Sequence, residues 1–139
     1  MLVAVKAISI NPVDAKVRAG MAPAAAGPKI LGYDAAGVVE ALGSEVSRFK
    51  VSDEVYYWGA FDRPGTNAEY HLFDERLAGR KPFSLTFAES EALPFTALTA
   101  WELLFDRLRI LSKDDTERRT LLVINGAGGV GSILLQLAR

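Results

Sequence analysis

The chain contains no cysteine among its 139 residues. Without thiols it can form neither disulfides nor thiolate metal sites. The sequence therefore excludes a disulfide-stapled scaffold. It also gives no sign of an oxidising compartment, so the cytoplasm is the expected location.

The chain also lacks a charge excess and a long apolar run. Its 16 basic and 17 acidic residues give a net charge of −1, without the basic stripe of a nucleic-acid-binding protein. No apolar run approaches the length of a membrane-spanning helix. The opening residues lack the basic start, apolar core and cleavage site of a secretory signal. A globular protein with neither nucleic acid nor membrane as a partner is expected.

A strand, a glycine turn and a helix start are predicted for residues 120–139. Thr120–Asn125 is an unbroken apolar run of β-favouring type, which predicts a strand buried on both faces of a parallel sheet. Apolar residues at helical spacing after Ser132 predict the helix. The segment between them fits the pattern Gly-x-Gly-x-x-Gly and consists of Gly126, Ala127, Gly128, Gly129, Val130 and Gly131.

Each glycine of this pattern has a physical task in a dinucleotide site. Gly126 permits a sharp bend, Gly128 lets the backbone approach a pyrophosphate, and Gly131 lets the helix pack against its strand. The phosphates would bind at the helix N-terminus. The alternative is a tight turn with no ligand. An acidic residue about 20 positions further on would bind the ribose, but the chain ends at Arg139.

The first two-thirds of the chain are predicted to be rich in strands. Leu2–Ile10 is an apolar strand, and Pro12–Gly20 is a short helix with proline at its first position. A loop rich in alanine, proline and glycine follows at Met21–Pro28. Three further strands are predicted, which together indicate a barrel or sandwich: Ala35–Ala41 with a bulge or close approach at Gly37, Asp53–Trp58 and Asn67–Phe73.

Helices are predicted after these strands. Thr86 and Glu89 fit a capping box at the start of a short helix. The wide apolar face of Thr96–Leu108 predicts a mostly buried helix. Lys113–Arg119 is a solvated charge run.

The combination of motifs resembles the medium-chain dehydrogenase/reductase superfamily, within it the NADPH:quinone oxidoreductase branch that is often named zinc-type alcohol dehydrogenase. The motifs are Asn11–Gly20, Gly32–Val39, Gly43–Val46, Asp53–Val55, Leu93–Trp101 and Gly126–Gly131. The resemblance implies an α/β plus β fold. A GroES-like β-barrel catalytic domain is expected over 1–95, and the first strand and helix start of a Rossmann domain over 96–139. It also implies that the family's first strands and most of its nucleotide domain lie outside this chain.

The resemblance implies an NADPH-dependent, zinc-independent oxidoreductase that transfers a hydride to a small-molecule quinone or conjugated carbonyl. A homodimer is expected for the full-length protein, and the chain alone is expected to be inactive. Two alternatives stay open. One is a 2-enoyl thioester reductase of the same superfamily, and the other is a nucleotide-binding protein without useful turnover.

Zinc binding is not expected, although zinc enzymes occur in the superfamily. The position of the family's His-Glu pair reads Tyr33-Asp34 here. With no cysteine and with the single histidine, His71, away from that motif, neither a catalytic nor a four-cysteine zinc site can be built. His71 itself is predicted to be a partly exposed strand residue.

By resemblance, Asn11 and Tyr33 are the catalytic candidates near the nicotinamide. Their alternative roles are a helix cap and a barrel residue. Thr99 matches a family position near the nicotinamide carboxamide, although a buried helical threonine often bonds a backbone carbonyl. Two departures from the family stand out. Ser52 replaces a glycine, which predicts a strained or differently shaped turn, and Lys16 stands where some quinone reductases have an active-site tyrosine.

Overall fold

The computed structural model describes residues 1–20, 29–110 and 120–139. These residues form two compact units, Met1–Pro94 and Phe95–Arg139. The predicted loop Met21–Pro28 lies outside the described residues, as does the predicted charge run Lys113–Arg119. Within the described ranges no helix has both the length and the apolarity to cross a membrane.

The first unit is built on one antiparallel sheet in the order β4-β1-β2-β3-β5. Its elements in chain order are β1 (Leu2–Ser9), α1 (Pro12–Gly20), β2 (Asp34–Ala41), β3 (Glu54–Trp58), β4 (Tyr70–Leu72), a 3-10 helix (Glu75–Leu77), β5 (Gly79–Arg80) and α2 (Phe87–Glu91). The predicted strands at these three positions are confirmed as β1, β2 and β3, and the predicted helix is confirmed as α1. The strand predicted over Asn67–Phe73 is shorter, because only Tyr70–Leu72 pairs with β1.

The core of this unit lies on one face of the sheet. Alternate residues of the strands point to this face, and aromatic residues stack within it. The Tyr57 and Phe73 rings are 4.0 Å apart with nearly parallel planes. The buried cluster consists of Val3, Ala35, Val39, Phe49, Val55, Tyr57, Phe73 and Ala78.

Gly37 marks a close approach of two strands, as its sequence context predicts. The β1–β2 register shifts between Val5 and Ala7, opposite Gly37. A Cβ at Gly37 would overlap the backbone carbonyl oxygen of Ala4. Glycine is therefore required here by the packing of backbone against backbone.

Ser52 adopts a left-handed backbone conformation with φ +74°. Its N–H donates to the Val39 carbonyl at 2.8 Å, so the turn that carries Ser52 is tied to β2. A residue with a Cβ is strained in this conformation. The strain predicted from the missing glycine is confirmed.

The capping box at the start of α2 is also confirmed. The Glu89 N–H donates to Thr86 Oγ1 at 3.2 Å, and the Thr86 N–H donates to Glu89 Oε2 at 2.8 Å. The bond from the Thr86 N–H is the main cause that holds the pKa of Glu89 below its ordinary value. Both interactions join residues three apart, which is why the sequence alone predicts them.

The second unit has a small helical core. Helix α3 (Pro94–Trp101) continues into a π-helix (Glu102–Arg107), and helix α4 spans Gly129–Leu137. The buried residues Ala100, Leu104 and Leu134 form the core. The prediction that Thr96–Leu108 is mostly buried is wrong, since Leu98 and Trp101 are 52% and 54% exposed. The apolar face of this helix is wider than the described elements of its unit can cover.

The strand predicted over Thr120–Asn125 does not form. This segment has no ladder partner among the described residues, and Leu122 and Ile124 are 84% and 86% exposed. A strand needs a neighbour to satisfy its backbone groups. The predicted helix start is confirmed, because α4 begins at Gly129.

Candidate functional site

A polar network lies where β1 ends and β2 begins. Ser9 and Asp34 face each other in the antiparallel register. Ser9 Oγ donates to Asp34 Oδ2 at 3.0 Å, and Asn11 Nδ2 donates to the same oxygen at 2.7 Å. Asp34 is fully buried. The predicted residue Asn11 therefore sits beside a buried carboxylate that the sequence analysis did not select.

The backbone of Asp34 is also held by a residue of the loop before β4. Thr66 Oγ1 donates to the Asp34 backbone carbonyl at 3.1 Å, and the Thr66 N–H donates to the Gly32 carbonyl at 3.0 Å. Gly32 has φ +97°, and a Cβ there would overlap the Asn67 side chain. The glycines of Gly32-Tyr-Asp and Gly65-Thr-Asn are the sequence signal that could have revealed this contact.

The backbone of Asn11 starts helix α1. The Asn11 N–H donates to Asp14 Oδ2 at 2.8 Å, and the Asp14 N–H donates to the Asn11 carbonyl at 2.9 Å. The Asn11 side chain makes no bond to the helix in the part of the chain described here, because it is directed to Asp34. The Asn11 side chain therefore does not cap the helix, which was the alternative to a ligand contact.

Two further acids are buried near this network. Asp14 Oδ1 and Glu91 Oε2 have no hydrogen-bond partner among the described residues. Burial raises the pKa of Glu91, a Ser9 hydrogen bond opposes this, and the Asp34 charge adds to the rise. Ser9 also lies next to Glu91, with Oγ 3.4 Å from its backbone carbonyl. The network can therefore retain a proton on Glu91 more readily than an exposed glutamate would.

Tyr33 lies in the interior of the first unit. Its ring packs against Phe61 at 4.7 Å and against Trp58 at 6.2 Å between centroids. The hydroxyl is buried and has no partner among the described residues. Burial raises the pKa of Tyr33, and the Asp14 charge adds to the effect. The structure places Tyr33 as a buried residue packed between aromatic neighbours.

His71 is buried, so the prediction of a partly exposed residue is wrong. Its Nε2 lies 3.0 Å from the Pro64 carbonyl, which can only accept, so Nε2 carries the hydrogen. Nδ1 then accepts from the Tyr57 hydroxyl at 3.1 Å. Burial is the main cause that lowers the pKa of His71. Both nitrogens are engaged within the fold, which leaves neither for a metal.

The glycine turn opens helix α4. Gly128 precedes the first helical residue, and no side chain caps this end in the described structure. A Cβ at Gly128 would lie 2.7 Å from Asn125 Nδ2, and one at Gly131 would overlap the Asn125 carbonyl oxygen. The left-handed residue of the turn is Asn125, with φ +60°, rather than Gly126. Asn125 therefore supplies the bend expected at Gly126, and Gly131 lets the helix pack closely on the turn rather than on a strand.

Thr99 makes the local hydrogen bond that was the alternative to a ligand contact. Its Oγ1 donates to the Phe95 carbonyl at 2.7 Å, one helical turn earlier. Its oxygen retains lone pairs that can accept from a ligand. The predicted residues thus fall into two sets, with Asn11 and Tyr33 in the first unit and Thr99 and the glycine turn in the second.

The family of the chain follows from a direct comparison. Residues 1–83 match the model of the alcohol dehydrogenase GroES-like domain. The chain belongs to this family. The matched residues include β1 to β5 and the whole Ser9–Asn11–Asp34 network. The match confirms the resemblance inferred from the motifs.

Relatives of this GroES-like chain are oxidoreductases by name. A zinc-type alcohol dehydrogenase-like protein of Staphylococcus epidermidis is 46% identical over the whole chain, which covers 41% of that protein. The chloroplastic NADPH-dependent alkenal/one oxidoreductase of Arabidopsis thaliana is 40% identical, also over the whole chain, which covers 36% of it. The Escherichia coli quinone oxidoreductase, solved with NADPH, is 30% identical with a TM-score of 0.76, and the match covers 99% of this chain and 40% of that one. The chain spans about two-fifths of these relatives' length.

The GroES-like domain of this chain does not fit a zinc ion, despite the names of some relatives. The sequence has no cysteine, and the family's His-Glu position holds Tyr33 and Asp34. No group of three or more candidate ligands could hold a metal ion among residues 1–20, 29–110 and 120–139. Since His71 is committed to Tyr57 and Pro64, a zinc site lacks its ligands.

Proposed function

We propose that the protein is an NADPH-dependent, zinc-independent oxidoreductase that transfers a hydride to a quinone or a conjugated carbonyl. The observation that carries this proposal is the glycine turn. The helix that follows it begins without a side-chain cap from the described residues, and a Cβ at Gly128 or Gly131 would overlap Asn125. The names of two relatives support it, since one is an NADPH-dependent alkenal/one oxidoreductase and the other a quinone oxidoreductase solved with NADPH.

The glycine turn has the features of a pyrophosphate cradle. Backbone N–H groups at the start of α4 and the positive end of its dipole favour an anion. A Cβ at Gly128 or Gly131 would overlap Asn125, so glycine keeps the turn close to the helix start, and we propose that this brings backbone N–H groups within reach of the pyrophosphate. We assign the pyrophosphate to residues 126–131 and a contact near the nicotinamide carboxamide to Thr99. NADPH supplies the hydride.

The two parts of the chain are proposed to have different roles. Residues 1–95 are proposed as the catalytic domain and 96–139 as the start of the nucleotide-binding domain of a longer, homodimeric protein. Asn11 is partly exposed, so its side chain is available to a ligand in the first part. The Tyr33 hydroxyl is buried, so it can donate to a substrate oxygen only after the residues around it move.

Quinones and conjugated carbonyls suit a site without zinc. They accept a hydride at a carbon or oxygen that needs little Lewis-acid help, so positioning and hydrogen bonds suffice. A simple alcohol or aldehyde gains more from a metal that polarises its oxygen, which the ligand set here cannot hold. The proposed substrate class therefore follows from the missing zinc ligands.

The decisive experiment measures NADPH consumption with a panel of quinones, alkenones and a 2-enoyl thioester, with and without a chelator. We expect oxidation with a quinone or alkenone that survives chelation. Gly128→Val is the matched variant, and it should weaken NADPH binding more than tenfold. Preference for the thioester would indicate an enoyl reductase. Tight NADPH binding without any oxidation would indicate a nucleotide-binding protein, and loss of activity on chelation would reject zinc independence.

A further inference from the structure

The orientation of the Asn11 amide is determined by its neighbours. Its nitrogen lies 2.7 Å from Asp34 Oδ2 and 3.5 Å from Ser9 Oγ. Asp34 Oδ2 also accepts from Ser9 Oγ at 3.0 Å, so it is an acceptor for both neighbours. The amide group that faces it must be the NH2 group, because the amide oxygen cannot donate.

Asp34 is well placed to fix this orientation. Its side chain is fully buried, and its backbone pairs with Ser9 on one side and Trp58 on the other. Thr66 Oγ1 holds its carbonyl at 3.1 Å. Turning the Asn11 amide over would place two oxygens against each other at hydrogen-bond distance, which costs the bond and adds repulsion. The amide therefore has one favoured orientation.

The remaining polar atom of the Asn11 side chain is its amide oxygen, Oδ1. Both N–H bonds are directed at Asp34 and Ser9, whereas Oδ1 makes no hydrogen bond to the described residues. Asn11 is partly exposed, and Oδ1 is not among the buried atoms that lack a partner. A ligand that reaches Asn11 therefore finds an acceptor.

We propose that Asp34 is a positioning residue that fixes the Asn11 amide with its carbonyl oxygen presented to the ligand as a hydrogen-bond acceptor. The inference rests on the proposed function for the identity of the ligand. Among the donors of NADPH we assign the carboxamide NH2 of the nicotinamide to this acceptor, and the analogue test below separates it from the ribose hydroxyls and the adenine amine. Stabilising negative charge on a substrate oxygen is then the task of another group.

The first test follows the side-chain amide protons of Asn11 by NMR hydrogen exchange. Asn67 is exposed and serves as the internal reference. We expect the Asn11 protons to exchange at least tenfold more slowly than those of Asn67. Asp34→Asn should remove this protection, because an amide at position 34 can accept either orientation. Thr66→Val is the matched control, since it removes a bond to the Asp34 backbone and leaves the carboxylate in place.

Exchange of the Asn11 protons at the Asn67 rate in the unaltered chain would overturn the proposal. This measurement needs no variant, so it stands even if Asp34→Asn fails to fold. Ser9→Ala provides a second variant, which removes the weaker of the two acceptors. It should raise the exchange rate of Asn11 severalfold while some protection remains. An unchanged rate in both variants would also reject the role of Asp34.

The second test compares binding of NADPH with binding of its 3-acetylpyridine analogue, which lacks the carboxamide N–H. We expect the chain to prefer NADPH about fivefold, the effect of one hydrogen bond. Asn11→Ala and Asp34→Asn should reduce the preference to about one, whereas Thr66→Val should retain it. Equal affinity for the two nucleotides in the unaltered chain would reject the acceptor role. Binding of neither nucleotide would reject the proposed function, and amide exchange would then decide the role of Asp34 alone.

Discussion

The two units of the chain differ in how far they bury residues of β-favouring apolar segments. In the first unit, Val3 and Val55 are completely buried within a sheet whose strands all have partners. In the second, Leu122 and Ile124 belong to an equally apolar run but lie largely exposed. The comparison shows that apolar, β-favouring composition produces a strand only where a neighbouring strand can accept its backbone hydrogen bonds.

The largest expected effect tests this difference directly. Val55→Ser should lower the free energy of unfolding of the first unit by about 3–4 kcal/mol, because it loses apolar contacts and buries a hydroxyl. Leu122→Ser should change the stability of the second unit by no more than about 0.5 kcal/mol. Trp58 and Trp101 report on the two units separately by fluorescence once the other is replaced by phenylalanine.

A large loss of stability in Leu122→Ser would contradict the comparison. It would mean that Leu122 is buried in solution, for example in a strand paired with a second copy of the chain. Light scattering of the same sample distinguishes this outcome, since such pairing raises the mass of the particle.

The second prediction concerns backbone packing in the sheet. Gly37→Ala should destabilise the first unit by about 2–3 kcal/mol, because the new Cβ would overlap the Ala4 carbonyl and force the strands apart. Gly43→Ala is the matched control, since no atom lies within 4 Å of a Cβ there. Urea titration followed by Trp58 fluorescence measures both. Equal effects at the two positions would show that the β1–β2 approach is not tight.

The third prediction uses the opposite pKa shifts of two buried groups in the first unit. The pKa of His71 is lowered from an ordinary value of 6.5, so below that pH the unfolded chain binds a proton that the folded chain resists. The stability contributed by neutral His71 is therefore lost as pH falls through its lowered pKa. The pKa of Glu91 is raised from 4.5, so its contribution is present at low pH and is lost as pH rises through the raised value.

Unfolding free energies measured between about pH 4 and pH 8 separate these contributions. His71→Gln should reduce the loss of stability on acidification, whereas Glu91→Gln should remove the opposite trend. If His71→Gln leaves the acid dependence unchanged, the buried histidine is not the group that responds.

Sequence reasoning succeeded where the determining contacts are local. The Thr86–Glu89 capping box joins residues three apart, and Pro12 starts a helix by its own fixed φ. It failed at His71, because its burial depends on Tyr57 and Pro64 from other parts of the chain. Such contacts are specified by the fold rather than by spacing along the sequence.

The candidate site shows the same limit. The resemblance selected Asn11, but not Asp34 as its partner, because the two are 23 residues apart and meet only through the β1–β2 register. The glycine pattern predicted a close approach at Gly131, although its neighbour is the turn rather than a strand, and the bend at Asn125 follows from a backbone angle that the pattern does not specify. The roles of Asn11, Tyr33, Thr99 and the glycine turn in binding remain the proposal stated above.

The smallest expected effect concerns the strained backbone of Ser52 within the well-packed first unit. Ser52 adopts φ +74° in a turn whose N–H is bonded to the Val39 carbonyl. Glycine adopts this conformation without steric cost, whereas it also has more freedom to lose on folding, so the two effects partly cancel. Ser52→Gly should therefore raise the free energy of unfolding by about 0.5–1 kcal/mol. Ser44→Gly is the matched control, because Ser44 is not among the residues with positive φ, and only the cost of added freedom applies there. Urea titration of both variants should give changes of opposite sign. A loss of stability in Ser52→Gly would show that the serine turn is not strained.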